Sequence, residues 1–336
     1  MDREELMLRQ LSGQHLIQPV DRLRAAGDLC GFQAQYVSNA LHALLVRSGS
    51  GDSTGFVKSW TLRGTMHIFP ERELPLFLHR GRAHFLRPCD TMEADEKIGK
   101  ERKAYFARLV LDSVTEGVGE RELLRRRCFD AGMTETEAES LFNPWGGMLR
   151  ALCEEGKLYY KVQEKKEFMR CPPFEPMEEK AARLELARRY FTYFGPATIK
   201  DAAYFFGTTQ AQVKKWLEEL PVSSVQCEGR TYFYIENATL SGNLPDCLFL
   251  AGFDQLMLGY LKTESLFLPT EHLRGIFSLA GIVMPPLLLR GSVVGRWKRT
   301  GKKLIITAFE PISREDKERI AGKAEELWSD CKIDFQ

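Results

Sequence analysis

The sequence predicts an α+β fold in which three winged-helix (helix-turn-helix) units follow one another and a β-rich domain ends the chain. Three observations indicate this class. Apolar residues at helical spacing form groups of segments, and each group precedes one or two short β-type segments. This layout occurs three times before residue 240, whereas β-type segments dominate after Pro245. The 336 residues give room for about two domains of ordinary size or for several small ones.

The first unit, residues 1–110, begins with helical segments. Residues 4–47 carry a helical periodicity that breaks near Pro19 and Gly31, and a Gly/Ser stretch ends it. Two β-type segments follow within 56–69. Two helices followed by a short strand pair are typical of a winged helix-turn-helix, and connecting helices fill the rest of this unit.

The second unit, residues 111–178, and the third, residues 179–240, repeat this order. Thr134 with Glu137 forms the S/T-x-x-E pattern that starts a helix. In the second unit we predict helices at 120–129, from Thr134 and at 143–155, and a hairpin of strands at 158–162 and 167–170. In the third unit we predict helices from Leu184, at 199–206 and from Thr208 to Leu220, and a strand at 231–235.

The last predicted domain, residues 241–336, is β-rich. Gly291 and Gly301 mark turns between strands, and Ser313 opens a final amphipathic helix. The predicted strands are at 247–250, 287–289, 293–297 and 304–309, and the apolar positions of the helix include Ile320, Ala324, Leu327 and Cys331.

Composition and absent motifs exclude several classes of function. Lys plus Arg total 47 and Asp plus Glu total 46, so the net charge of +1 excludes a uniformly basic nucleic-acid coat but allows a locally basic face. Hydrophobic residues at 44% and charged residues at 28% are ordinary for a globular chain. The sequence lacks a P-loop, a dinucleotide-binding glycine motif and a G-x-S-x-G nucleophile motif, so we expect no nucleotide cofactor.

Cysteine and histidine spacing predicts no metal site. The eight cysteines contain no C-x-x-C pair, and the six histidines show neither H-x-x-H nor H-E-x-x-H spacing. The first residues lack the pattern of a signal peptide, and no apolar stretch is long enough to span a membrane without interruption. We therefore expect a cytoplasmic monomer with reduced thiols, no cofactor, no metal and no membrane contact.

A segment from His272 to Phe309 contains seven cations and no acidic residue, which is +7 over 38 residues. Such local concentration suits a surface that follows phosphates, because each neutralised phosphate releases condensed counterions. Trp297 lies among the cations, where an aromatic ring can stack on a base. The alternative is a solvated hairpin with Trp297 in the core. The predicted DNA-binding residues are Arg274, Arg290, Arg296, Trp297, Lys298, Arg299, Lys302 and Lys303.

Two other basic runs are less informative. Residues 80–87 form a basic patch, and such charge runs usually lie in water. Arg125, Arg126 and Arg127 either follow a DNA backbone or form a solvated helix face.

Gln33 and Gln35 are the first candidates for chemistry. They point to one side of an extended segment, and Gly31 permits a bend just before the next helix. Two amides that converge on one point can orient a water molecule through both donors and acceptors, and they can equally read the edge of a base. By itself Gln-x-Gln is a common pattern.

Arg63, Thr65 and His67 are the second candidates. A strand that carries all three places a cation, a hydroxyl and an imidazole near one another. His67 has three interpretations, as a general base, as a phosphate contact or as a hydrogen-bonded core histidine.

Five pieces in order resemble one family, the AlkZ/YcaQ-like DNA glycosylases. The resemblance covers roughly residues 5–330, nearly the whole chain. The first two pieces match the Q-x-Q and R-G-T-[LM]-H motifs of that family. The pieces are 31–35, 63–67, 194–198 with Asp201, 253–260 and 291–297.

The resemblance implies a fold and a reaction. Family members are built from tandem winged helices and a β-rich C-terminal part that form a concave basic channel for duplex DNA. Their two glutamines correspond to Gln33 and Gln35, which would place and polarise the hydrolytic water. The implied substrates are N7-alkylated guanines in duplex DNA, including those in interstrand crosslinks. No Lys matches a nucleophile motif, so the implied reaction is monofunctional hydrolysis of the N-glycosidic bond.

Two positions depart from the family pattern. Tyr36 follows Q-x-Q where an acidic residue is frequent, and Leu261-Lys262-Thr263 lacks the usual Arg after Tyr260. Two other classes of function stay open at this point. A winged-helix transcriptional regulator without catalysis would use the same DNA-binding units. A pseudo-enzyme or protein-interaction module would be favoured by DNA binding that shows no salt dependence.

Overall fold

The computed structural model describes residues 1–78, 97–143, 147–237 and 242–336. It is a mixed α/β structure. The helices within these ranges are α1 (Arg3–Gly13), α2 (Arg22–Asp28), α3 (Val37–Ser48), α4 (Leu74–Phe77), α5 (Lys100–Thr115), α6 (Arg121–Asp130), α7 (Glu135–Leu141), α8 (Gly147–Glu154), α9 (Glu179–Tyr193), α10 (Ile199–Phe206), α11 (Gln210–Glu219), α12 (Gln255–Leu258), α13 (Leu273–Ile276) and α14 (Arg314–Leu327).

The strands are short, apart from two in the C-terminal sheet. They are β1 (Phe32–Gln33), β2 (Phe56–Trp60), β3 (Met66–Pro70), β4 (Leu158–Tyr160), β5 (Phe168–Arg170), β6 (Ser223–Cys227), β7 (Arg230–Tyr234), β8 (Cys247–Phe249), β9 (Pro286–Leu289), β10 (Ser292–Thr300), β11 (Lys303–Ala308) and β12 (Lys332–Phe335).

The residues group into two compact units that alternate along the chain. Unit 1 contains Met1–Gln33, Ser38–Asp52 and Leu186–Gln336, and unit 2 contains Ala34–Val37 and Ser53–Glu185. The chain therefore passes from unit 1 to unit 2 directly after Gln33. The division into four domains at residues 110, 178 and 240 stays a prediction.

Unit 2 contains helices α4 to α8 and antiparallel strands in the order β3-β2-β4-β5. Helices α5 to α8 pack around a core that includes Phe106, Leu124 and Leu152, which are fully buried. Helix α7 starts as predicted, because the Thr134 hydroxyl accepts from the Glu137 amide while the Glu137 carboxylate accepts from the Thr134 amide. Strands β4 and β5 form the predicted hairpin.

Unit 1 contains a group of two helices and a hairpin, and it also contains the C-terminal sheet. Helices α10 and α11 are joined at Gly207 and are followed by the hairpin β6–β7, whose first strand the sequence analysis missed. Thr198 caps α10 in a capping box with Asp201. A helix–helix–hairpin order is therefore present in this part of the chain.

The C-terminal sheet has the strand order β12-β11-β10-β9-β8. Gly291 and Gly301 occupy the predicted turns with positive φ values of 81° and 59°. A Cβ atom at Gly295 would lie 2.6 Å from the Thr307 carbonyl oxygen, beside the bulge where the β9–β10 register shifts. Helix α14 covers the sheet but ends at Leu327, so Cys331 lies outside it, and the strand β12 that follows was not predicted.

Within the described ranges, no helix combines the length and the apolar composition that crossing a membrane requires.

Candidate active site and nucleic-acid interface

Only the first part of the Gln33–Gln35 segment is extended, because Gln33 lies on a strand whereas Gln35 lies in the bend before the next helix. Gly31 has a φ of 81°, Phe32 and Gln33 form β1, and α3 begins two residues after Gln35. The side chains of the pair differ in access, because Gln33 is only 8% exposed whereas Gln35 is exposed. The intervening Ala34 amide donates to the Met66 carbonyl oxygen at 2.7 Å. One amide of the pair is thus held in the protein interior.

A buried ion pair lies behind β1. Arg47 and Asp254 are both 0% exposed and are joined by two hydrogen bonds of 2.7 and 2.9 Å. The Arg47 guanidinium also donates to the Gln14 carbonyl oxygen at 3.0 Å and lies 5.5 Å from the centre of the Phe32 ring. Because Phe32 directly precedes Gln33, this pair buttresses the glutamine-bearing strand.

Arg63 does not lie on a strand, which corrects the prediction. Residues Leu62–Gly64 form a single 3-10 turn between β2 and β3, and Arg63 adopts a φ of 56° there. The left-handed region is costly for a residue with a Cβ atom, and such strain is concentrated at functional sites. The Thr65 hydroxyl donates to the Leu62 carbonyl oxygen at 3.1 Å and closes the turn. The turn therefore presents Arg63, which is half-buried.

His67 is a core histidine of unit 2. It is 0% exposed, and its Nδ1 lies 2.8 Å from the Thr61 hydroxyl and 3.2 Å from the Thr65 carbonyl oxygen. A carbonyl oxygen can only accept, so the second contact requires the proton on Nδ1. Both contacts bridge the two ends of the turn that carries Arg63. Of its three interpretations, the structure favours packing, with a direct part in presenting that turn.

The hairpin β10–β11 separates its residues onto two faces. Trp297 donates its indole N–H to the Leu250 carbonyl oxygen at 2.8 Å and packs against Phe249 and Trp328. Alternation along a strand places Arg296 and Lys298 on the opposite face. Trp297 is therefore a packing residue, which is the alternative that the sequence left open, and it does not share a face with Arg296 and Lys298.

Acidic residues from later in the chain pair with part of the basic segment, so part of its charge of +7 is neutralised locally. Arg290 makes a bidentate pair with Asp316 at 2.7 and 3.3 Å. These hydrogen bonds lower the pKa of Asp316 to about 2. Two further pairs are Lys302 with Asp330 at 2.8 Å and Lys303 with Asp334 at 3.2 Å.

The other cations of the segment have different surroundings. Arg299 lies over the Trp328 ring at 5.5 Å, and Arg296 donates to the Gly275 carbonyl oxygen at 3.4 Å. Arg274 and Lys298 are exposed. Both side chains are therefore accessible to a phosphate.

The less informative basic runs are placed as follows. The patch at 80–87 lies outside the described residues. Arg125 and Arg127 lie on α6 and pair with Glu135 at 3.0 Å and Glu116 at 2.5 Å, as expected for a solvated helix face.

The two departures from the family pattern lie near the surface. Tyr36 is 46% exposed beside Gln35. Lys262 supplies a cation one residue after Leu261, and its ammonium group lies 5.6 Å from the centre of the Phe277 ring. A positive charge is therefore retained in the segment that lacks the usual Arg.

A cavity of about 210 Å³ in unit 1 contains none of the candidate residues. Arg9, His15 and Arg24 are among its lining residues. His15 and Arg24 both contact Asp28, at 2.9 and 3.3 Å. In the part of the chain that the structure describes, no cluster of three or more His, Cys, Asp or Glu side chains could hold a metal ion.

Comparison with known proteins agrees with the resemblance. A family model described as DNA glycosylase AlkZ-like matches residues 26–329, and the chain therefore belongs to the AlkZ-like DNA glycosylase family. The interstrand DNA cross-link repair glycosylase of Streptomyces sahachiroi is 26% identical, over 89% of this chain and 86% of that protein. The solved structure of the DNA glycosylase AlkZ from Streptomyces sahachiroi matches the fold with a TM-score of 0.79 and 21% identity, over all of both chains.

Proposed function

We propose that this protein is a monofunctional DNA glycosylase that hydrolyses the N-glycosidic bond of alkylated purines in duplex DNA. Gln33 and Gln35 orient the attacking water in this proposal. The observation that carries it is the strained, buttressed turn that delivers Gln33 into the interior at the entrance of α3, in a chain of the AlkZ-like family. Preorganised dipoles of this kind act on developing charge without reorganising during the reaction.

The chemistry of the lesion suits neutral amides. An N7-alkylguanine carries a positive charge, so the base leaves C1′ as a neutral molecule when the C1′–N9 bond breaks. Water then adds to the oxocarbenium-like sugar and releases one proton to solvent. Because the leaving group is already activated, oriented amides suffice and a strong carboxylate base is not required.

Duplex DNA is the partner in this proposal. The helix–helix–hairpin groups act as winged helices and contribute with the β10–β11 hairpin to a concave DNA-binding channel. Arg63 contacts a phosphate near the lesion from its strained turn, and Arg274 and Lys298 provide accessible charge. The protein acts as a monomer.

Interstrand crosslinks are the second substrate class. The relative from Streptomyces sahachiroi is described as a cross-link repair glycosylase. A crosslink through guanine N7 carries the same cationic leaving group on each strand. We therefore propose that one glycosidic bond of such a crosslink is hydrolysed by the same glutamines.

Single-turnover base release tests the proposal. A duplex with one N7-methylguanine is mixed with excess wild type, with Gln33→Ala/Gln35→Ala, or with Gln10→Ala as a control for loss of another buried glutamine. We expect the double variant to lose about 100-fold or more of the rate while DNA affinity is retained. Salt-sensitive binding without base release from either the methylated or a crosslinked duplex would instead support a regulator.

The same reaction tests the monofunctional step. Hydrolysis leaves an intact abasic strand that breaks only after alkali. Strand scission by the wild type without alkali would contradict this part of the proposal, since it requires an amine nucleophile.

A further inference from the structure

One motif of the sequence, residues 253–260, is not used by the proposed reaction. Its Gln255 is 1% exposed, and its Nε2 donates to the carbonyl oxygens of Leu29, at 3.4 Å, and Gly31. Its Oε1 is buried and has no hydrogen-bond partner among the described residues. Among the described residues, the hydrogen bonds of this buried side chain are therefore made by its Nε2 donor.

The two carbonyl groups belong to a strained reversal of the chain. Cys30 and Gly31 follow each other with φ values of 57° and 81°. Their amides donate to the carbonyl oxygens at the end of α2, with Cys30 bonded to Gly27 and Gly31 to Ala26. The side-chain amide of Gln255 donates to carbonyl groups of the same reversal, whose own amides are bonded to α2.

The residue before Gln255 acts on the same segment. Asp254 accepts from the Leu256 amide at 2.9 Å and holds Arg47, whose guanidinium lies against Phe32. Gln255 thus fixes Gly31 through the Gly31 carbonyl group. Asp254, the residue before it, fixes the Phe32 ring through Arg47. Both positions lie within two residues of Gln33, and all of these residues are in unit 1.

We propose that Gln255 is a positioning residue for Gln33. By anchoring the Gly31 carbonyl group it sets the direction in which β1 leaves the reversal, and so the place of the Gln33 amide. This inference rests on the proposed function, since it assigns Gln33 to the reaction. A side chain of the same size without the donor leaves the reversal free to relax.

Gln255→Met is the main test. It fills a similar volume, removes the donor and also removes the buried Oε1, so the cost to folding is limited. Gln10→Met is the matched control, because Gln10 is 2% exposed and its Nε2 donates to the Pro196 carbonyl oxygen at 2.6 Å. We expect Gln255→Met to slow single-turnover base release about 10- to 100-fold, as for a catalytic group displaced by about 1 Å. DNA affinity is retained, and Gln10→Met keeps the wild-type rate.

Gln255→Glu provides a second variant if Gln255→Met does not fold. It keeps the shape and replaces the NH2 donor with a carboxylate, and a proton on that carboxylate restores one donor. We expect the ratio of wild-type to variant rate to fall as the pH is lowered. A ratio that stays constant with pH would overturn the inference.

Hydrogen exchange separates this inference from the proposed function. Absence of base release by the wild type would refute the function alone. Faster exchange of the amides at 31–34 in Gln255→Met, but not in Gln10→Met, would still support anchoring of the segment by Gln255. Equal exchange in the two variants, or an unchanged base-release rate in Gln255→Met, would overturn it.

Discussion

The glutamine segment and the β10–β11 hairpin use charge in opposite ways. Arg47 is completely buried and its charge is matched by one buried carboxylate, so the pair fixes the position of Phe32 beside Gln33. The hairpin cations lie at the surface, and some face carboxylates while others face solvent. A buried pair holds geometry at a high cost if either partner is lost, whereas a surface cation can exchange its partner for a phosphate.

The largest expected effect breaks the buried pair. Arg47→Met leaves Asp254 charged and unpaired in the interior, so we expect about 3–5 kcal/mol of unfolding free energy to be lost. Urea unfolding of the wild type and the variant measures this. The matched surface variant, Arg290→Gln, breaks a pair whose arginine is half-exposed and should change stability far less. Equal losses in the two variants would refute the contrast.

The next effect concerns DNA binding by the hairpin. Lys298 is exposed, whereas Lys302 already contacts Asp330. We expect Lys298→Ala to lower the slope of log K against log salt by about 1, the value for one lost phosphate contact, and Lys302→Ala to lower it less. Titration of a fluorescent duplex at several salt concentrations measures both slopes. A larger change of slope in Lys302→Ala than in Lys298→Ala would show that the pair between Lys302 and Asp330 opens readily on binding.

The opposite change adds charge to the same surface. Replacement of Asp316, Asp330 and Asp334 by Asn releases Arg290, Lys302 and Lys303 from their carboxylates. We expect tighter, more salt-dependent duplex binding, because the released cations can now neutralise phosphates. The base-release rate of the bound complex should not change, since among the described residues the ion pairs of these carboxylates are with the C-terminal sheet and α14. Weaker binding by the triple variant would place the DNA surface elsewhere.

The two regions also differ in how much of them the sequence predicts. The bend at Gly31, the cap at Thr134, the helix at 199–206 and the turn at Gly301 were predicted because each depends on residues within a few positions. The pairing of Arg47 with Asp254 was not predicted, since 207 positions separate them. The candidate glutamines were therefore identified without the side chains that hold them.

The pairing of the hairpin cations with carboxylates was not predicted for the same reason. A window from residue 272 to 309 contains no acid, but α14 and β12 pack against the same sheet and bring Asp316 and Asp334 to it. The strand alternation that buries Trp297 was available from the sequence. The packing of Trp297 against Phe249 and Trp328 could not be predicted, because these two residues come from distant segments of the chain.

The smallest expected effect is the pH dependence of one surface pair. Hydrogen bonds from Arg290 lower the pKa of Asp316 to about 2, below the value of about 3.9 in an unfolded chain. The pair therefore stabilises the fold above about pH 4, and this contribution is lost as the pH falls from there towards 2. We expect the difference in unfolding free energy between the wild type and Arg290→Gln to shrink over that interval, while Arg274→Gln, at an exposed arginine, shows no such change. A difference that stays constant from pH 5 to about pH 2 would show that Arg290 stabilises the fold by packing rather than through its charge.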